Sequence, residues 1–151
     1  LSTAFPEVRL KSYLEMRGAD GGRWDRICAL PAFWVGLLYD STALDAAWQL
    51  VKHWTPADHA RLRAEVPRLA LQAASPNGGT LQDLAKSVLA LADGGLARRA
   101  RLNGSGDTEQ GFLNPLHDMA ASGITNADKM LAAFHGRWGG DISKVYDEES
   151  Y

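Results

Sequence analysis

Arg9-Leu10-Lys11-Ser12-Tyr13-Leu14-Glu15-Met16-Arg17, followed by Gly18-Ala19-Asp20-Gly21-Gly22, is the stretch on which the reading of this chain turns. In an extended strand, side chains alternate between two faces. One face carries Val8, Leu10, Ser12, Leu14 and Met16 and can rest on an apolar core. The other carries Arg9, Lys11, Tyr13, Glu15 and Arg17 and is polar at every position. A half-buried strand needs only a loosely polar outer face, so this density of charge suits a charged ligand. The glycine-rich turn that follows lets backbone approach a ligand closely. The expected architecture is mainly α, with an active-site β-strand and its turn over residues 1–22 and a helical region over residues 23–151 packed behind or beside it.

A lone strand cannot satisfy its own backbone hydrogen bonds. Nothing downstream reads as a strong partner strand. Residues 1–151 are therefore expected to be either a segment of a larger protein or a domain whose sheet is completed elsewhere.

Outward from the strand, the signals are helical. Trp24 to Tyr39 is almost wholly apolar from Ile27 on, as a buried core helix is. Pro31 is expected to kink it or start a second segment. Four Thr-x-x-Asp patterns follow, at Thr42/Asp45, Thr55/Asp58, Thr80/Asp83 and Thr125/Asp128. In each, the hydroxyl suits a free amide of the first turn and the acid suits the positive end of the helix dipole. Apolar residues after these caps recur at helical spacing, as in Leu44, Ala47, Trp48 and Val51. Pro67 is expected to divide residues 55–74 into two short helices, and Gly94-Gly95 to end the helix opened by Thr80. Short helices over Leu113–Ala121 and Asp141–Glu149 bring the expected total to about six to eight.

Length and composition bound the function. The chain has 151 residues, enough for one domain with a core, and 46% hydrophobic and 23% charged residues place it among soluble globular chains. A net charge of −2 gives no support for nucleic-acid binding through a broad basic surface. The longest apolar run, Ala29 to Tyr39, falls well short of the ~20 residues of a membrane span. Neither nucleic acid nor membrane is an expected partner. Cys28 is the one cysteine, so no internal disulfide can form, and a reducing, cytoplasmic setting is expected.

Glu15 and Arg17 lie two apart on one strand face. A carboxylate is a hard ligand for Mg²⁺, which commonly joins one or two carboxylates to substrate phosphates. An adjacent arginine can fork onto a phosphate. Together they suit phosphoryl transfer, where catalysis is mostly positioning and charge neutralisation. The same spacing also suits a face of cross-strand ion pairs, and spacing alone leaves both open. His53, His59, His117 and His135 have no partners at zinc-ligand spacing. Arg98, Arg99 and Arg101 cluster near a helix end, where they stabilise the helix dipole. The sequence has no phosphate-binding Gly-x-x-x-x-Gly-Lys-Ser/Thr loop, so phosphoryl chemistry here uses another architecture.

The run from Phe5 through Gly22, continued by Cys28-Ala29-Leu30-Pro31-Ala32-Phe33-Trp34-Val35-Gly36-Leu37-Leu38-Tyr39-Asp40, closely resembles the plant-type glutamate–cysteine ligases, a family also found in proteobacteria. The likeness continues more loosely through Trp54-Thr55-Pro56-Ala57, Gly95-Leu96-Ala97-Arg98-Arg99, Phe112-Leu113 and Tyr151. It covers the whole chain but only the C-terminal part of the family's length. The resemblance implies an enzyme that joins the γ-carboxylate of glutamate to the amine of cysteine, with ATP and Mg²⁺, through a γ-glutamyl phosphate. It implies a glutamine-synthetase-like α+β fold in the full-length protein, with an open antiparallel sheet cupping the site. By the same resemblance Glu15 is a Mg²⁺ ligand, Arg17 contacts the transferring phosphate, and Trp24 lines the glutamate pocket. Arg9, Lys11, Tyr13 and Asp20 are substrate-binding candidates by face and proximity. Arg23 departs from the pattern, in which Pro precedes the Trp in many relatives. The partners implied are glutamate, cysteine, ATP and the remainder of the ligase chain. A related ligase with another acceptor amine or thiol pathway, such as ergothioneine, and a helical interaction domain without catalysis are the competing readings.

Overall fold

The computed structural model describes residues 7–19 and 21–149. Asp20 and Tyr151 lie outside the described residues. The expected strand is not one strand. It folds back on itself as β1 (Val8–Leu10) and β2 (Leu14–Met16), antiparallel, pairing Val8 with Met16, Arg9 with Glu15 and Leu10 with Leu14. The partner strand that the sequence seemed to lack lies within the same stretch. The reason is local: a strand with no neighbour satisfies its backbone groups by pairing with its own continuation. Backbone bonds extend the ladder, from Lys11 N–H to Tyr13 C=O at 2.8 Å and from Arg17 N–H to Glu7 C=O at 2.8 Å.

The apolar face of the hairpin does not rest on a core of described residues. Val8, Leu10 and Leu14 are 48%, 79% and 55% exposed. No helix packs extensively on either strand. The link of the hairpin to the helices includes an exposed bidentate ion pair from Arg63 Nε and Nη2 to the Glu7 carboxylate, at 2.7 and 2.6 Å.

The helices organise around each other instead. Seven are present among the described residues: α1 (Trp24–Leu38), α2 (Ser41–Val51), α3 (Pro56–Leu69), α4 (Leu81–Arg99), α5 (Asn114–Ser122), α6 (Asn126–His135) and α7 (Lys144–Glu148). Short 3₁₀ turns cover Ala70–Gln72 and Glu109–Leu113. Ala32, Leu37, Ala92, Leu96 and Leu113 form the buried cluster, so α1 and α4 carry the core with the Glu109–Leu113 turn beneath them. α1 is the core helix its composition predicts. No single helix among the described residues is long and apolar enough to cross a membrane. α1 and α2 reach that length only as a pair bent by 92°.

Three of the four Thr–Asp patterns open helices as expected. At Thr55, Thr80 and Thr125 the hydroxyl accepts from the Asp backbone N–H, and the Asp carboxylate accepts from the Thr N–H. The fourth does not. Thr42 lies inside α2, which is capped by Asp40, whose Oδ1 accepts from Ala43 N–H at 2.8 Å. Asp40 also holds Arg98, so two partners favour it over Thr42.

The helix breaks fall elsewhere than Pro and Gly suggest. α1 runs through Pro31 and α3 through Pro67. Both prolines are exposed, so the ring is not forced into the core although each removes a backbone donor. α3 ends at Ala70, whose φ of 45° leaves the helical region. α4 continues through Gly94 and Gly95; Gly95 sits at the crossing with α1, against the Gly36 carbonyl, while Gly94 faces Arg98 of its own helix.

Asp40 gives a pH prediction. The Arg98 guanidinium, then the Ala43 amide, lowers its carboxyl from 3.8 to about 2. A lowered folded-state pKa stabilises the fold above the unfolded value of 3.8, and that contribution is lost as pH falls through about 2. Asp40→Asn keeps a competent cap and removes the charge. Denaturation midpoints should show the variant below wild type at pH 6, with the gap narrowing below pH 3.8 and closing near pH 2. A gap independent of pH would show that the Asp40 charge contributes nothing.

Candidate functional site

The hairpin gathers the charged row that a straight strand would spread out. Arg9 Nε donates to Glu15 Oε2 at 2.6 Å, directly across the ladder. Lys11 Nζ lies 3.9 Å from the same oxygen and 5.6 Å from the centre of the Tyr13 ring. The Arg9 hydrogen bond, with the charges of Arg9, Lys11 and Arg17, holds the Glu15 carboxyl below the usual carboxylate range. Arg9 is held correspondingly high by Glu15. One ionised carboxylate thus sits among three cations, and the hairpin face carries a net positive charge that favours anionic groups.

The Arg9–Glu15 pair is the cross-strand ion pair that the spacing left open as a competing role. It sits beside Arg17 and Lys11 on the hairpin, so the pair and the cationic face coexist. For a divalent cation, Glu15 is a fitting hard oxygen donor, ionised and half-buried. Among the described residues no group of three His, Cys, Asp or Glu side chains gathers to hold a metal.

Arg9, Lys11 and Tyr13 lie together on the hairpin around Glu15, and Arg17 follows the end of β2. Trp24 is the first residue of α1, beyond Gly21-Gly22, and is 69% exposed. Asp20 is outside the described residues. The arginines near the end of α4 take structural roles: Arg98 binds Asp40, and Arg99 binds Glu109 at 3.2 Å and lies 5.7 Å from the Tyr39 ring.

Sequence reasoning missed Arg26. Its Nη1 donates to Asn126 Oδ1 at 2.7 Å, and its Nη2 pairs with the Glu149 carboxylate. These partners are 100 and 123 residues away, so no local spacing signals them.

With a hairpin that carries a Glu-x-Arg pair among cations and a helical body beside it, the comparisons with known proteins become specific. The profile of glutamate–cysteine ligase family 2 matches residues 1–148, and the chain belongs to that family. It is 49% identical over 151 residues to the chloroplastic glutamate–cysteine ligase of Arabidopsis thaliana. Identity is 47% to that of Brassica juncea and 46% to that of Nicotiana tabacum, again over the whole chain. In each case the chain spans 28% of the relative's length. The relatives' names overturn the cytoplasmic setting expected from Cys28, since each is described as chloroplastic. A single cysteine reports the absence of an internal disulfide, and that property does not distinguish one reducing compartment from another.

Proposed function

We propose that this chain is a segment of an ATP-dependent glutamate–cysteine ligase, catalysing the first step of glutathione synthesis. The observation that carries the proposal is the family match over residues 1–148. The positive hairpin face supports it, because γ-carboxylate activation by ATP transfers a phosphoryl group between anions. In this reading the glutamate γ-carboxylate attacks the γ-phosphorus of ATP, and ADP leaves. The cysteine amine then attacks the acyl carbon, forming the amide and releasing phosphate. Arg17, with Lys11 and Arg9 behind it, neutralises charge on the transferring phosphoryl group. Glu15 would hold Mg²⁺, which neutralises phosphate charge when bound. Trp24 and Tyr13 would line the site where the remainder of the ligase closes over the hairpin. The exposed apolar face of Val8, Leu10 and Leu14 supports a sheet completed by that remainder.

The test is phosphate release by the full-length protein with ATP and glutamate, with cysteine present or replaced by other amines. Turnover that requires cysteine and is abolished by chelation of divalent cations is expected. Residues 1–151 alone should show no turnover, because one carboxylate and a few cations do not assemble the site. Turnover by that segment alone would refute the segment reading. Equal turnover with unrelated amines would move the protein to another acceptor class.

A further inference from the structure

Arg26 is the point where three distant parts of the chain meet. It stands in the first turn of α1, just after Gly21-Gly22. A Cβ placed on Gly22 would lie 2.9 Å from Arg26 Nε, so the guanidinium packs against the turn's backbone. The same guanidinium reaches the first residue of α6 through Asn126 and the C-terminal side of α7 through Glu149. Arg26 and Glu149 side chains are only 22% and 23% exposed, which separates this pair from the screened surface pairs elsewhere. The α7 end is itself anchored. Glu148 accepts from Trp138 Nε1 at 2.6 Å and from the Arg137 guanidinium, and its C=O accepts from Arg23 Nη1 at 3.4 Å. Trp138 is buried at 5% exposure, so α7 is tied to the helical body rather than to solvent.

We propose that Arg26 is a positioning residue, clamped by Asn126 and Glu149, that fixes the Gly21–Gly22 turn and the adjoining Trp24 for glutamate binding. Glycine-rich backbone has the most freedom to lose on ordering, so a turn next to a binding residue gains most from an external brace. Arg26 supplies it through one planar group with several donors in fixed directions, which a lysine cannot reproduce. Arg26 touches no reacting atom in this account; it acts through the turn and Trp24. The inference rests on the ligase reading for its substrate, but the brace itself can be measured without turnover.

The experiment uses the full-length protein with Arg26→Gln, Arg26→Lys and Glu149→Gln. Hydrogen exchange at the Ile27 amide, which donates to the Arg23 carbonyl where the glycine segment enters α1, should accelerate about 10-fold or more in Arg26→Gln, with Leu89–Leu96 amides unchanged. KM for glutamate should rise about 10-fold while kcat and KM for ATP stay within about 2-fold, the split expected when binding alone is loosened. Arg26→Lys should fall between wild type and Arg26→Gln. If Arg26→Gln does not fold, Glu149→Gln carries the same comparison with the turn contact intact. Unchanged exchange at Ile27 in a folded variant overturns the proposal. So does a parallel rise in KM for glutamate and ATP, which marks a general loss of structure. A wild-type protein without cysteine-dependent turnover would overturn the ligase reading, and the exchange data would still decide the brace.

Discussion

Glu15→Gln in the full-length protein is expected to lower kcat by about 10²-fold or more, while Arg9→Ala lowers it only several-fold. The contrast follows from the two roles open to Glu15. As the partner of Arg9 in a cross-strand ion pair, it would contribute little, as solvent-screened surface pairs do, and either substitution would remove the same interaction. As a ligand for a divalent cation, it contributes a charged oxygen that Gln replaces with a neutral one, at a site where charge neutralisation is most of the catalysis. Arg9→Ala leaves that oxygen in place and even frees Oε2, which Arg9 now occupies at 2.6 Å. Arg17 adds a second arm. Arg17→Ala should also lose about 10²-fold, and Arg17→Lys should restore little, because the forked donor geometry is lost with the guanidinium. Steady-state kinetics at saturating ATP and glutamate, with folding checked by circular dichroism, decides the matter. Equal and small effects of Glu15→Gln and Arg9→Ala would reduce Glu15 to a surface ion-pair partner.

What the sequence reveals of this fold is what its chemistry places within a turn or two. Thr55, Thr80 and Thr125 are legible because each meets its Asp three residues on, inside one helical turn. Thr42 fails the same test because Asp40 gains a guanidinium 58 residues away, which no window of sequence contains. The sequence reads as a single strand here because residues 11–13, Lys-Ser-Tyr, carry no glycine, asparagine or proline to mark a turn. Within the strands alternation survives the fold-back, and it brings Arg9 opposite Glu15. Asn126 and Glu149 illustrate the opposite limit: only the long-range hydrogen bonds that bring them to the start of α1 reveal what Arg26 does.

The two adjacent glycines of α4 should respond to alanine with opposite signs. Gly94→Ala is expected to stabilise the protein by up to about 1 kcal/mol, through helix propensity and the lower entropy of the unfolded chain. The new methyl group would meet the Arg98 guanidinium, 3.3 Å away, at the movable end of a flexible side chain. Gly95→Ala gains the same propensity but is expected to cost about 3 kcal/mol or more, at the upper end of overpacking. Its Cβ would lie 1.9 Å from the Gly36 carbonyl oxygen, an atom fixed in the backbone of α1. Restoring a contact of about 3.3 Å would require the helices to part by about 1.4 Å. That movement would open the seam around Ala92 and Leu96, now 0% and 1% exposed. Gly36 faces the same constraint from the other side, since a Cβ there would lie 2.3 Å from the Ala92 carbonyl oxygen. A loss of this size is a large fraction of the ~5–15 kcal/mol that separates a folded domain from its unfolded chain. Urea denaturation of the two variants beside wild type measures both signs at once. If Gly95→Ala were as stable as Gly94→Ala, the α1–α4 crossing would not be in backbone contact, and the glycines that sequence reading took for a helix end would need another explanation.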